Sequence, residues 1–163
     1  MQLELTCDDL ATLLDASLPD GLESVGCESA SDQLRLRLRV YPARLDARAA
    51  RLLADDASLD VALVLAPSLD ERHRLRLDLR ELDVDAAGLP LLARLPARPG
   101  LIKRVLFKRL AAHPAVDADR VSGRICLDLM QALPAAEHGL AVTPTALRAT
   151  ARGLVFEAAL QQP

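Results

Sequence analysis

The sequence predicts an α+β domain in which a twisted antiparallel sheet packs on, or wraps around, one central helix. Three patterns carry that prediction. In "QLRLRLRVYP", Leu34, Leu36, Leu38 and Val40 alternate with Arg35, Arg37 and Arg39, the period of two that a half-buried strand requires. In "HRLRLDLRELDVD", Leu75, Leu77 and Leu79 share one parity while Leu82 and Val84 take the other. That slip calls for a β-bulge near Arg80-Glu81, and a bulged strand bends and twists strongly. In "GLIKRVLFKRLAAHP" the apolar residues recur at helical spacing, and a helix from about Gly100 to Ala112 is roughly 20 Å long.

The remaining elements follow in order. Thr6 is placed to N-cap a short helix from about Asp8 to Ser17, with acids in its first turn and Pro19-Asp20-Gly21 as its stop. "GLESVGCESASD" becomes the hairpin partner of "QLRLRLRVYP", turning at Ser31-Asp32. Residues 42–56 have helical composition, with Leu45, Ala49, Leu52 and Leu53 as the apolar set, and read as one surface helix beginning after Pro42. "SLDVALVLAPS" and "HRLRLDLRELDVD" are two strands joined by a tight "PSLDE" turn, and Pro96 and Pro99 interrupt the approach to the central helix. "DRVSGRICLDL" reads as a strand, "DLMQAL" as one or two helical turns, and "GLAVTPTALRATARGLVFEAAL" as a hairpin with Arg152-Gly153 at its tip. The order is βαββ, then αββ, then a helix, then βαββ. The two ends echo each other: Cys7-x-Asp9-Leu10-x-x-x-Leu14 is matched by Cys126-x-Asp128-Leu129-x-x-x-Leu133, and Gly21-Leu22 by Gly139-Leu140. A duplication of that kind predicts two similar lobes flanking the central strands and helix.

Composition bounds the function. A chain of 163 residues, 51% of them hydrophobic, is expected to form one domain over 1–163. Its only aromatics are Tyr41, Phe107 and Phe156, too few for the stacking platforms of lectins or single-strand nucleic-acid binders. Cys7, Cys27 and Cys126 are odd in number and far apart, which argues against a disulfide framework or a zinc ribbon. The start "MQLELTCDDL" carries acids and no apolar h-region, and the longest apolar run, Val61 to Ala66, is far below the ~20 residues that span a bilayer. The expectation is a soluble cytoplasmic protein, or a periplasmic one if a leader has been removed. The net charge of -3 divides unevenly: residues 1–85 carry -8, residues 86–116 carry +6 without a single acid, and residues 117–163 carry -1. An acidic total makes nucleic acid the poorest partner.

No local signature of catalysis stands out. The seven glycines form neither a dinucleotide nor a P-loop pattern, and GxSxG and HExxH are missing. His73, His113 and His138 are isolated, and "DADRVSG" lacks the later carboxylates of a calcium loop, so it reads as a polar turn. Asp78, Asp83 and Asp85 are interleaved with Arg74, Arg76 and Arg80, a pattern of cross-strand ion pairs on a solvated sheet face. Arg35, Arg37 and Arg39 are expected to be neutralised in the same way by a neighbouring strand carrying Asp78, Glu81 or Asp60. A non-enzyme without metal or cofactor is the resulting expectation.

The central helix carries what chemistry there is. On a wheel of 100° per residue with Leu101 at zero, Leu101, Val105, Ile102, Leu106 and Leu110 fall at roughly 0, 40, 100, 140 and 180°, and Lys103, Arg104 and Lys108 at roughly 200, 300 and 340°. Phe107, at about 240°, lies among the bases, and Arg109, at about 80°, intrudes on the apolar side. One account has Arg109 snorkelling to water and Phe107 packing on a neighbouring element. The other places the helix at the mouth of an apolar groove or on an anionic surface, where each base contributes at most ~1 kcal/mol.

The C-terminal "RICLDLMQALP…GLAVTPTALRATARGLVFEA", together with the bent strand 74–85 and the helix 100–112, resembles small bacterial members of the tubular lipid-binding (TULIP) group over about 120 residues. In that group long twisted antiparallel strands wrap a long helix and enclose a channel for a lipid tail. The resemblance implies a half-barrel that binds a lipid or another apolar small molecule without catalysis. Leu101, Val105, Leu106, Phe107 and Phe156 are its expected groove residues. The alternative is an interaction or scaffold module in which segment 94–109 docks an acidic protein or anionic membrane through Arg98, Lys103, Arg104, Lys108 and Arg109.

Overall fold

The structure is a computed structural model that describes residues 2–18, 20–30, 32–89, 99–128 and 141–161. The first helical turns expected at "DLMQAL", Arg98 and His138 lie outside those residues. The described chain runs β1 (Gln2–Thr6), α1 (Cys7–Ser17), β2 (Leu22–Ala30), β3 (Gln33–Val40), α2 (Pro42–Leu45), α3 (Ala47–Ala50), β4 (Leu59–Leu69), β5 (Leu75–Asp85), α4 (Pro99–Leu110), β6 (Val116–Asp119), β7 (Arg124–Leu127), β8 (Ala141–Thr150) and β9 (Gly153–Gln161). All strand pairing is antiparallel and falls into two open sheets, β2-β3-β4-β5-β7-β6 and β1-β9-β8. The α+β class and the antiparallel sheet are as expected.

The alternation of β3 sets the large sheet. Leu34, Leu36, Leu38 and Val40 stand opposite Leu65, Leu63, Val61 and Leu59 of β4, and all eight are buried. Arg35, Arg37 and Arg39 face the other way. On β5 the register steps from Leu79 opposite Leu65 to Glu81 opposite Val64, so Arg80 is the extra residue of a bulge and Leu82 and Val84 return to the inner face opposite Leu63 and Val61. The parity slip in the sequence therefore has the cause it implied. Leu5 of β1, Leu154 and Phe156 of β9, Ile102, Leu106 and Phe107 of α4, and the inner leucines of β3, β4 and β5 form one apolar cluster. Burying each such side chain contributes about 1.5–3 kcal/mol.

Local chemistry explains the joints. Thr6 and Asp9 form a reciprocal cap at α1: Asp9 N–H donates to Thr6 Oγ1 (3.1 Å), and Thr6 N–H donates to Asp9 Oδ2 (2.9 Å). The Thr6 hydroxyl, which donates to Asp9 Oδ2 (2.6 Å), and then the Thr6 N–H hold the Asp9 carboxyl below its ordinary pKa. The single surface helix expected over 42–56 is instead two short turns. Asp46 is extended (φ -137, ψ 127) and its carboxylate accepts from Arg48 N–H, so it ends α2 and caps α3. The β4–β5 turn also lies later than "PSLDE", because β4 continues through Pro67, beyond the end of β3, to Leu69. Asp70 closes the turn, accepting at Oδ1 from Arg72 and Arg74 N–H (2.9 and 2.8 Å), and at Oδ2 from Arg74 Nε (2.8 Å), while His73 takes φ 59. Of "DADRVSG" only residues 120–123 form the expected turn: Asp117–Asp119 belong to β6, and the strand expected from Asp119 onward begins only at Arg124, so β6 and β7 form a hairpin.

The two long hairpins share a construction. In β2–β3, Val25 is bulged and Ala30 stands opposite Gln33; in β8–β9, Thr145 is bulged and Thr150 stands opposite Gly153. Bulge and closing pair have the same spacing in both. The cysteine motif does not share it: Cys7 begins a helix, whereas Cys126 lies within β7.

Candidate functional site

The candidate site is α4 and what surrounds it. Pro99 opens the helix, where its missing N–H costs nothing. Its end tightens through bonds from Ala112 N–H to Arg109 O (3.2 Å) and His113 N–H to Leu110 O (3.1 Å), with Pro114 beyond. Lys108 and Arg109 occupy the last turn, where cations favour the helix dipole. The helix packs against β5 and β6.

Ile102, Leu106 and Phe107 are its buried residues. They fall at about 100, 140 and 240° on the wheel, so the inward arc is centred near 160° and Leu101 lies opposite it. Leu101 is accordingly 45% exposed, while Val105 is half-buried. Of the expected groove residues, Leu106, Phe107 and Phe156 come together in the core cluster; Leu101 does not join them, and neither does Val105.

Phe107 and Arg109, the two residues that a simple apolar stripe left over, are attachments. Phe107 is 4% exposed, and the Lys103 ammonium sits 5.7 Å from its ring centroid. Arg109 is half-buried and donates from Nη2 to the Leu45 carbonyl (2.8 Å), satisfying the last acceptor of α2. Among the described residues, Arg104 and Lys108 are exposed and have no ion-pair partner. The outward stripe of α4 is therefore Leu101, Arg104 and Lys108, at spacing i, i+3 and i+7, whereas Lys103 turns toward the buried Phe107.

The outer face of the large sheet differs in kind. Arg37 pairs with Glu28 (3.4 Å) and Arg39 with Asp60 (3.1 Å). Asp78 receives Arg76 (2.9 Å) and Arg124 (3.6 Å), and Arg74 bridges Asp70 and Asp117. The Arg39 charge is stabilised first by its hydrogen bond to Asp60, which raises its pKa further. Asp83 and Asp85 stand opposite Ala62 and Asp60. The Asp119 carboxyl is spent within its turn on Ser122 Oγ (2.7 Å) and Val121 N–H (3.0 Å), which hold its pKa down. His113 Nδ1 accepts from Ala115 N–H (3.2 Å). Among the described residues no group of three or more His, Cys, Asp or Glu side chains is arranged to hold a metal ion.

A surface hollow of about 380 Å³, lined among others by Leu52, Leu53, Ala57, Ser58 and Gly88, touches none of the expected groove residues. No described helix is long and apolar enough to cross a membrane. Comparison with known proteins returns no matching family model, curated protein or solved structure. What the site can do is therefore a matter of its own geometry: an exposed leucine beside two exposed cations that have no ion-pair partner among the described residues, on a helix anchored on its other side. Of the expected contact bases, Arg104 and Lys108 share the exposed face, while Lys103 and Arg109 turn toward neighbouring elements; Leu101 is exposed and not inward, because the wheel was centred on the first leucine and not on the buried triplet.

Proposed function

We propose that this protein is a non-catalytic interaction module that docks an acidic protein segment onto the outward stripe of α4. The observation that carries the reading is that Leu101, Arg104 and Lys108 line up outward, with no carboxylate anywhere in residues 86–116 to neutralise them. On the sheet face Arg37, Arg39 and Arg124 meet acids on adjacent strands, whereas Arg104 and Lys108 sit in a segment that has no acid of its own.

Membrane insertion is the weaker use of the same surface, because an interfacial helix needs a broad apolar face and α4 spends Ile102, Leu106 and Phe107 on the core. An apolar ligand held by Leu106, Phe107 and Phe156, as the TULIP resemblance implies, draws less support, since all three meet other core side chains.

Exposed ion pairs contribute about 0.2–1 kcal/mol each, so two bases and one leucine make a weak, reversible contact. A poly-glutamate peptide titrated by NMR at low salt is expected to perturb α4 amides first, with the effect fading as ionic strength rises toward about 0.5 M. It is expected to disappear in the R104E/K108E variant. Binding that survives the charge reversal, or no perturbation of α4 at low salt, overturns the proposal.

A further inference from the structure

Two of the three cysteines, separated by nineteen residues, meet at the seam between the two sheets. Cys7 is the first residue of α1 and Cys27 stands on β2. Both neighbourhoods are tied to one turn: Cys7 N–H donates to the Arg152 carbonyl (2.9 Å), and Ser29 Oγ donates to the Gly153 carbonyl (3.4 Å). Cys27 and Ser29 lie on the same, inward side of β2, opposite Leu36 and Leu34. Helix α1, which begins at Cys7, packs directly on β2, and the Cys27 side chain lies within interaction range of Cys7. Both residues are half-buried, so neither is sealed from a small reagent. Cys126 is buried on β7, opposite Arg76 and Asp117.

We propose that Cys7 and Cys27 are a redox-active dithiol that closes to a disulfide, clipping the β1–α1 junction of the small sheet to β2 of the large one. The co-reactant is a low-molecular-weight disulfide. The Cys7 thiolate attacks one of its sulfurs, a mixed disulfide forms, and the first thiolate leaves. The Cys27 thiolate then attacks Cys7 Sγ, the internal S–S bond forms and the second thiolate leaves. The two cysteine protons pass to the two departing thiolates, so the protein is oxidised by two electrons and the small disulfide is reduced to two thiols. Burial first, then the interaction with Cys7 and the negative surroundings of Cys7, Asp8 and Glu28, push the Cys27 thiol up to about 12. Ring closure is thus the slow step and accelerates as pH rises.

Hydroxyethyl disulfide is a suitable oxidant because it is neutral and is not repelled by Asp8 and Glu28. Incubation of the whole chain at mildly alkaline pH is expected to remove two hydrogen masses and to give one cross-linked peptide pair containing Cys7 and Cys27, with Cys126 still open to alkylation after unfolding. The Cys27→Ser variant is expected to stop at one hydroxyethyl adduct on Cys7. Closing a loop of this length raises the melting temperature by roughly 6–12 °C. Stable adducts on both Cys7 and Cys27, a linkage through Cys126, an unchanged or lowered melting temperature after closure, or no reaction under conditions that oxidise the urea-unfolded chain would each overturn the proposal.

Discussion

Replacing Gly153 by alanine loads the joint between β1 and β9 directly. Gly153 has φ 150 and stands opposite Thr6, and a Cβ built there would overlap the Leu5 carbonyl oxygen and come within 2.8 Å of Thr6 Cα. The obstacle is backbone, so no side chain can swing aside. Either β1 withdraws or the residue leaves its conformation. The conformational cost is about 1–3 kcal/mol, and losing one or two ladder hydrogen bonds adds about 1 kcal/mol each, for a total near 3–5 kcal/mol. That is a large share of the 5–15 kcal/mol by which a domain is ordinarily stable. Gly123→Ala is the internal control: its φ is also positive (70), but a Cβ there meets Leu79 Cβ at 3.4 Å, so only the conformational cost of about 1 kcal/mol applies. Urea unfolding read at constant m-value, with hydrogen exchange of the β1 amides, measures both. The Gly153 variant is expected to lose several times more stability, and β1 to lose protection before the large sheet. Equal losses in the two variants, or a wild-type midpoint for Gly153→Ala, would refute the reasoning.

Two further substitutions separate the faces of α4 and test the acid behaviour of the β4–β5 turn. Phe107→Ala is expected to cost about 3–5 kcal/mol in denaturant melts and Leu101→Ala less than about 0.5, because only the first removes a buried ring; similar values for the two would show that the ring is not a core contact. Asp70→Ala is expected to cost about 1–3 kcal/mol near neutrality. Burial works against the Asp70 carboxylate, but bonds from Arg74 and Arg72 outweigh it and hold its pKa below the ordinary carboxylate range. Its contribution is therefore full above about pH 4 and is lost as pH falls through the lower folded value, so stability curves of wild type and variant should run parallel from pH 5 to 8 and converge in stronger acid. A gap that persists at low pH would assign the loss to packing instead.

Much of the large sheet was legible because its physics is local. The alternation of Leu and Arg in β3 fixes which face is buried, and the parity slip at Arg80 requires the bulge that the register shows. The Thr6 cap was visible for the same reason, since its partner Asp9 is three residues away. What stayed hidden depends on contacts remote in sequence. Nothing in "MQLELT" says that β1 pairs with β9 at the other end of the chain, or that the strands divide into two sheets. The meeting of Cys7 and Cys27 was concealed by reading cysteine spacing alone. The parity of Cys27 with Leu22 and Ser29 across the Val25 bulge was the signal available, but it could be read only once β2 had a register. The break at Asp46 was readable, because an aspartate two residues before Arg48 is an N-cap pattern, and helical composition around it outweighed that cue.

The same distinction accounts for α4. Phe107 and Arg109 looked like departures from an amphipathic helix only because the wheel assumed that every leucine points inward. Once Leu101 is exposed, the inward arc runs from Arg109 through Ile102, Leu106 and Lys103 to Phe107, and both oddities lie at its borders, where a long side chain reaches a neighbouring element. Arg109 is then committed to the Leu45 carbonyl and is no longer free for a partner, whereas Arg104 and Lys108 stand opposite the arc and bear no structural duty. The twelve-residue helix is thus anchored through one half and, among the described residues, presents cations without ion-pair partners on the other. In the proposed docking the segment would lose its own freedom but would not have to order the helix, so few contacts would suffice for a weak, salt-sensitive and reversible complex.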